Sequence, residues 1–203
     1  MTSRLKIALA VGVMMTLGPV CASAALIEVW QSDGNVLSLA DADTLIGSGA
    51  ADYSDDYSGP IDYDDLGDGT RGLSNLNLPW PGNVNSNFAA RITGSLDLDA
   101  AATLNLFVNH DDGVRITVNG TVIAFSDLII DNINTGALVD LNAGSNIVEI
   151  VFFEHLGGAS LELWAGALGH EELIGLRTVP EPTSLALLGL GLVGMGMRRR
   201  MKA

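Results

Sequence analysis

The chain has 203 residues, is 48% hydrophobic, and sets 24 acidic residues against ten Lys and Arg, for a net charge of −14. That balance repels phosphate backbones and anionic lipid and favours cations or neutral partners, which argues against nucleic acid as a ligand. With one cysteine there is no disulfide framework, so a conventional core must stabilise what the length suggests is a single domain.

Arg4 and Lys6 precede an apolar stretch from Ile7 to Leu17, and Ala22-Ser23-Ala24 places small residues where a signal peptidase cuts. Residues 1–24 are therefore expected to be a signal peptide, with Ala22 and Ala24 as cleavage determinants. Cys21 leaves with this leader, because Gly18-Pro19-Val20 lacks a lipoprotein pattern. From Ala25 to Val179 four arginines stand against 23 acids, a net charge of −19 with no lysine.

Leu26 to Trp30 predicts a first strand, and the Asp-, Gly-, Ser- and Asn-rich stretch from Asp41 to Asn87 predicts a long loop folded over the domain. Within it, Asp64-x-x-x-Asp68-Gly69 is not an EF-hand, since Leu66 occupies position three and no Glu follows at position twelve. From Ala90 the two-residue period of half-buried strands sets in: Ile92, Gly94, Leu96 and Leu98, then Leu104, Leu106 and Val108, then Val114, Ile116 and Val118. Asn119-Gly120 is a hairpin turn into Thr121, Val122 and Ile123, since both residues tolerate positive φ. The same residues with Thr121 match a glycosylation sequon; the turn is the preferred reading. Ile147 to Phe153 is almost continuously apolar, as in a central strand buried on both faces, and Gly157-Gly158 separates it from Leu161, Leu163 and Trp164. Short strands between turn residues, with no amphipathic helix of usable length, predict an all-β antiparallel sandwich over residues 25–178.

The chemistry-bearing candidates are few. Trp80, held in a loop by Pro79 and Pro81, is the best placed of three tryptophans, with Trp30 and Trp164, to offer a ring to a sugar face, although strand aromatics more often fill cores. His110 and His155 each lie beside acids, with too few visible ligands for a transition-metal site. Asp112 and Glu154 could form a glycosidase pair if about 5 Å or about 6.5 to 9.5 Å apart. However, the chain has no Gly-x-Ser-x-Gly elbow, no His-Glu-x-x-His helix and no phosphate loop, and no enzyme is expected.

At the C-terminal end, Pro180-Glu181-Pro182 leads into an apolar run closed by Arg198, Arg199 and Arg200. These residues resemble the PEP-CTERM sorting tail of bacterial proteins, which implies handling by an exosortase-type processing enzyme. The tail is expected to cover residues 179–203, with a short transmembrane segment at 184–197. A helix from Thr183 to Met197 spans roughly 22 Å against about 30 Å of hydrocarbon, and its glycines weaken it further. Such a segment suits temporary retention, with the arginines on the cytoplasmic side, although an uncut anchor fits the same hydropathy.

A second resemblance rests on Phe88-Ala89-Ala90-Arg91-Ile92-Thr93-Gly94, Asn109-His110-Asp111-Asp112-Gly113-Val114-Arg115-Ile116, the Val139 to Ile150 stretch, and Phe152-Phe153-Glu154-His155-Leu156-Gly157-Gly158. Together they are similar to the anthrax protective-antigen-type β-sandwich module. The resemblance implies glycan binding. In its lectin branch, adjacent aspartates joined by a cis peptide hold a calcium ion that ligates sugar hydroxyls, and Asp111 and Asp112 occupy those positions. The loop after Phe152-Phe153 is the expected second donor, through Glu154, with Leu156 and Gly158 expected to meet the ligand. Where lectins tend to place Asn, this chain has Glu154, a variant also found without lectin activity. Asp-Asp-Gly is equally good turn chemistry, with Asx side chains accepting from nearby amides and Gly113 at positive φ. The expected function is an exported, transiently anchored surface protein binding extracellular polysaccharide through calcium. The alternative is a structural biofilm or matrix protein with neither site.

Overall fold

The computed structural model describes residues 24–64, 73, 76 and 78–177. The expected signal peptide, the hydrophobic tail and the Asp64–Asp68 spacing lie wholly or partly outside them. Among the described residues no helix is long and apolar enough to cross a membrane.

Twelve strands follow in chain order: β1 (Ala25–Gln31), β2 (Tyr53–Tyr57), β3 (Asp62–Asp64), β4 (Leu78–Pro79), β5 (Phe88–Leu98), β6 (Ala102–Asp111), β7 (Gly113–Val118), β8 (Thr121–Ser126), β9 (Ile133–Leu141), β10 (Gly144–Glu154), β11 (Ser160–Ala167) and β12 (His170–Leu173). An eight-residue α-helix, α1 (Leu39–Ile46), lies between β1 and β2, and a short 3-10 turn spans Pro81–Asn83. The first sheet runs β2-β1-β5-β10-β7-β8, and the second β4-β3-β11-β6-β9 with β12 also on β11. All described pairings are antiparallel except the short one between β3 and β4. The expected sandwich is therefore the observed one.

Alternation explains the core. Ile27 and Val29, Ile92, Ile116, and Val148, Ile150 and Phe152 face inward from the first sheet, against Leu106, Val108, Leu161 and Leu163 from the second. The apolar run in β10 is longer than one face requires because the other face is covered too. There Val151 and Phe153 pack with Leu39 and Ala42 of α1, with Leu45 and Ile46 beside them. At Asn119-Gly120 both residues take positive φ, 49° and 79°, and turn β7 into β8 as expected.

The polar stretch from Asp41 to Asn87 is not simply a loop. It forms most of α1 and all of β2, β3 and β4. α1 starts because Ser38 caps it, its hydroxyl accepting from the Asp41 amide at 3.2 Å, while the Asp41 carboxylate accepts from Leu37 at 3.0 Å. Its Leu39 amide donates to Asp127 at 2.6 Å. The buried acids Asp62 and Glu162 each serve as acceptors, Asp62 for the Leu76 amide at 2.9 Å and Glu162 for the Leu73 amide at 2.8 Å.

Arg115 on β7 grips Asp43 of α1 through two hydrogen bonds of 2.9 and 2.7 Å. Those bonds are the main reason the Asp43 carboxyl sits below its ordinary value of 3.8. A depressed carboxylate contributes stability above its unfolded pKa, and that contribution disappears as pH falls through the folded one. Because Asp43 is half exposed, Asp43→Asn is expected to cost no more than about 1 kcal/mol near neutral pH. In urea unfolding series the gap between variant and wild type should narrow as pH falls below the ordinary carboxyl value of 3.8; a gap of constant size would refute this role.

Candidate functional site

The end of the sandwich where the chain crosses from the second sheet to the first holds the acidic motif. Asp111 is the last residue of β6, paired to β11, and Gly113 is the first of β7, paired to β10. Asp112 is therefore the crossing residue. Phe153 pairs with Gly113, which puts Glu154 at the same end of the sandwich as the crossing. The Asp111–Asp112 peptide is cis, as the resemblance implies.

Asp111, Asp112 and Glu154 each bring a carboxylate oxygen to within 4.8 Å of the others, and all three residues are at most 2% exposed. Among the described residues this is the one group of three or more potential metal-ligating side chains that converges. Arg91, Arg115 and Arg177 make their ion pairs elsewhere, with Glu28, Asp43 and Asp97.

Two loops fix the Asp112 side chain. Its Oδ1 accepts from the Ile130 amide at 2.9 Å, and its Oδ2 from the His155 amide at 2.9 Å. The loop after β10 is held in turn by Asn87, whose amide donates to the His155 carbonyl at 2.9 Å and whose Oδ1 meets the His155 ring at 3.1 Å. The loop between β8 and β9 is tied by Ser160, which donates to Asn132 Oδ1 at 3.1 Å. Each oxygen of Asp112 keeps a lone pair after accepting one N–H, so the carboxylate can still ligate a cation.

Beneath the crossing lies fully buried His110, with Nδ1 against the Asp112 carbonyl and Nε2 2.8 Å from the Thr135 hydroxyl. A carbonyl only accepts, so Nδ1 carries the proton and Nε2 accepts from Thr135. Burial lowers the His110 pKa, which favours this neutral form. His110 is thus a buried brace, and the converging group of potential metal ligands among the described residues includes neither it nor His155.

Some expected residues sit elsewhere. Trp80 is 1% exposed, stacked at 5.1 Å on Phe152 and 4.8 Å on Tyr63, and cannot offer its ring to a ligand. Prolines on either side made its backbone a loop, but the indole turns inward because it has the largest apolar area available to fill that end of the core. Trp30 is buried as well, under the Arg91 guanidinium at 5.2 Å. Leu156 is 60% exposed beside the acids, whereas Gly158 is buried. Gly113 does not take the positive φ expected of a turn glycine. It is needed for space, because a Cβ there would lie 2.1 Å from the Phe153 ring.

The Ile130 loop was not foreseen. Its contribution is a main-chain N–H, which leaves no residue-type signature, although Asp127, Asp131 and Asn132 mark it as a polar connection. Leu128 and Ile129, just before Ile130 in this loop, are about half exposed.

No curated protein sequence matches the chain. The sandwich is similar to the PA14 sugar-binding domain from an RTX adhesin, at 22% identity and a TM-score of 0.60, covering 78% of this chain and 100% of that one. It is also similar to the PA14 domain of the MpAFP antifreeze protein, at 18% identity and a TM-score of 0.59, covering 76% and 87%. A third similar structure is the epithelial adhesin 6 A domain from Candida glabrata in complex with Galβ1-3GlcNAc, at 12% identity and a TM-score of 0.59, covering 82% and 91%. The PEP-CTERM protein-sorting motif matches residues 178–200, directly after Arg177, whose backbone pairs with Ser95 of β5. The described part of the chain therefore has the PA14 fold, and the chain carries a PEP-CTERM protein-sorting motif at residues 178–200.

Proposed function

We propose that this is an exported surface protein that binds extracellular polysaccharide through a calcium ion held by Asp111, Asp112 and Glu154. The observation that carries the reading is the convergence of three buried carboxylates within 4.8 Å at the sheet crossing. Bringing three like charges together out of water is costly, and a cation among them offsets that cost. Hard oxygen donors suit Ca²⁺, which takes six to eight ligands, so backbone carbonyls of the loop after β10, water and sugar hydroxyls complete the shell. Leu156, Leu128 and Ile129 supply apolar contact for the C–H face of a sugar, and Gly158 keeps the loop backbone close to the ion.

The sandwich makes the surface contact, and the tail governs where it is displayed. Pro180-Glu181-Pro182 is read by an exosortase-type enzyme while the segment at 184–197 holds the protein in the inner membrane behind Arg198 to Arg200. Release then delivers the acidic domain to the cell surface or matrix.

A glycan array probed with and without calcium tests this function. Calcium-dependent signal is expected, removed by chelation and by Asp111→Ala. Signal indifferent to both would overturn the calcium lectin, and incorporation into biofilm that survives the substitution would favour a purely structural matrix role.

A further inference from the structure

A second surface has the chemistry of a sugar site and shares no residue with the carboxylate trio. Strand alternation puts Asn105, Phe107, Asn109 and Asp111 of β6 on one face, the outer face of the second sheet. Phe107 stacks parallel to Trp164 of β11 at 6.1 Å, with an interplanar angle of 2°, and both rings are only partly buried. On its other flank, β9 presents Gly136, the register partner of Phe107, where a Cβ would lie 2.2 Å from the Phe107 Cβ, so glycine lets β9 lie close beside Phe107. A shallow groove opens across β6, lined by Asn105 and Phe107 themselves, by Asn134 and Gly136 of β9 and by Glu171 of β12, among others.

Polar groups around the groove are held in place with bonding capacity to spare. Asn105 donates to Glu171 at 2.6 Å, which leaves its amide oxygen free to accept. Glu171, also bonded by the Gly169 amide at 3.1 Å, has a carboxyl held below the usual range, first by Asn105, and stays an acceptor. Asn134 accepts from Asn109 at 2.8 Å and keeps its own NH₂ for donation. Asn109 is 4% exposed, and its buried Oδ1 has no hydrogen-bond partner among the described residues.

An exposed ring edge bordered by alternating amide donors and acceptors matches a pyranose, which presents C–H on one face and hydroxyls around its rim. It does not match the alternatives. Glu171 and the acidic surface repel anionic polymers, and a lone carboxylate already hydrogen-bonded to Asn105 and Gly169 is a poor cation site. We infer that the Phe107 groove is a second carbohydrate-binding site, independent of calcium, for neutral polysaccharide. Phe107 lies four residues from Asp111 along β6, or about 13 Å, so one extended polymer can engage both sites. Two weak sites on one rigid sandwich would then act by effective concentration.

The test is native affinity electrophoresis of the full chain in gels containing EDTA and soluble galactan, mannan or β-glucan, with a sulfated polysaccharide as the charged comparison. At least one neutral polymer is expected to retard the wild type. Phe107→Ala is expected to weaken retardation about ten-fold, as for a ring central to a binding surface. Phe107→Tyr keeps the ring and should retain binding. Glu171→Gln, at a solvated position, probes the rim without disturbing the core and should weaken binding a few-fold. Far-UV circular dichroism checks that each variant is folded.

Absence of retardation in EDTA by every neutral polymer would overturn the site. So would retardation unchanged by both Phe107→Ala and Glu171→Gln. Concentration-dependent dimerisation lost on Phe107→Ala, without retardation, would instead assign the face to a second copy of the chain. Because all arms run without calcium, failure here leaves the Asp111 reading intact, and failure there leaves this one intact.

Discussion

Calcium is expected to raise the thermal unfolding midpoint of the wild-type protein, and Glu154→Gln is expected to abolish most of the rise. A ligand present at a hundred times its dissociation constant stabilises the folded state by about 2.7 kcal/mol, which is roughly 5 to 11 °C for a domain of this size. Glu154→Gln keeps the shape of the side chain and removes one of three charges that face one another within 4.8 Å. In the absence of calcium, that substitution should therefore be tolerated or mildly stabilising, because it relieves like-charge repulsion. Asp112 is different: it also accepts the Ile130 and His155 amides, so Asp112→Ala strips two partly buried donors of their partner. That variant should lose stability even without calcium, by about 0.5 to 1.5 kcal/mol for each bond lost, since both amides are only partly buried. Magnesium, smaller and strict in its octahedral demand, should give a lesser shift than calcium. Differential scanning fluorimetry across a calcium titration reads all of this, and an unchanged midpoint for the wild type would remove the metal from the account.

The largest loss of stability is expected from Trp80→Ala, at about 3 to 5 kcal/mol, the range for deleting a buried large aromatic. The ring contacts Tyr63, Phe88 and Phe152, with centroid distances of 4.8, 5.1 and 5.1 Å, so removing it opens the core between both sheets. Its Nε1 also donates to the Ala159 carbonyl at 3.4 Å, close to the loop after β10. Trp80→Phe retains much of the packing and should cost far less. Chemical denaturation gives the stabilities, and glycan binding measured on the folded fraction separates structure from recognition. Binding that falls for Trp80→Phe while stability holds would return Trp80 to the ligand surface.

Much of the sandwich was legible because strand alternation is a local property. Ile92 to Leu98 and Leu104 to Val108 announce half-buried strands without reference to anything else, and the run from Ile147 to Phe153 announces a central one. What covers the outer side of β10 was not legible. In α1 only Leu39, Ala42, Leu45 and Ile46 are apolar enough to pack, and eight residues are too few to show a helical period inside a polar stretch. Strands β2 and β3 were hidden for a related reason. Their aspartates look like loop residues, yet Asp62 and Asp64 are buried and Asp62 accepts a backbone amide.

By themselves, the residues determine the leader-like and tail-like ends, the lysine-free acidic balance between them, the all-β class and the Asp111-Asp112-Gly113 motif. Each of these is written in composition or short-range spacing. Tertiary structure alone decided that the Ile130 loop clamps one of those aspartates, that Trp80 faces the core and that Asn105, Phe107, Gly136 and Glu171 line one groove. Pairings between strands distant in sequence create these proximities, and the direction a side chain takes depends on what surrounds it, which no local pattern encodes.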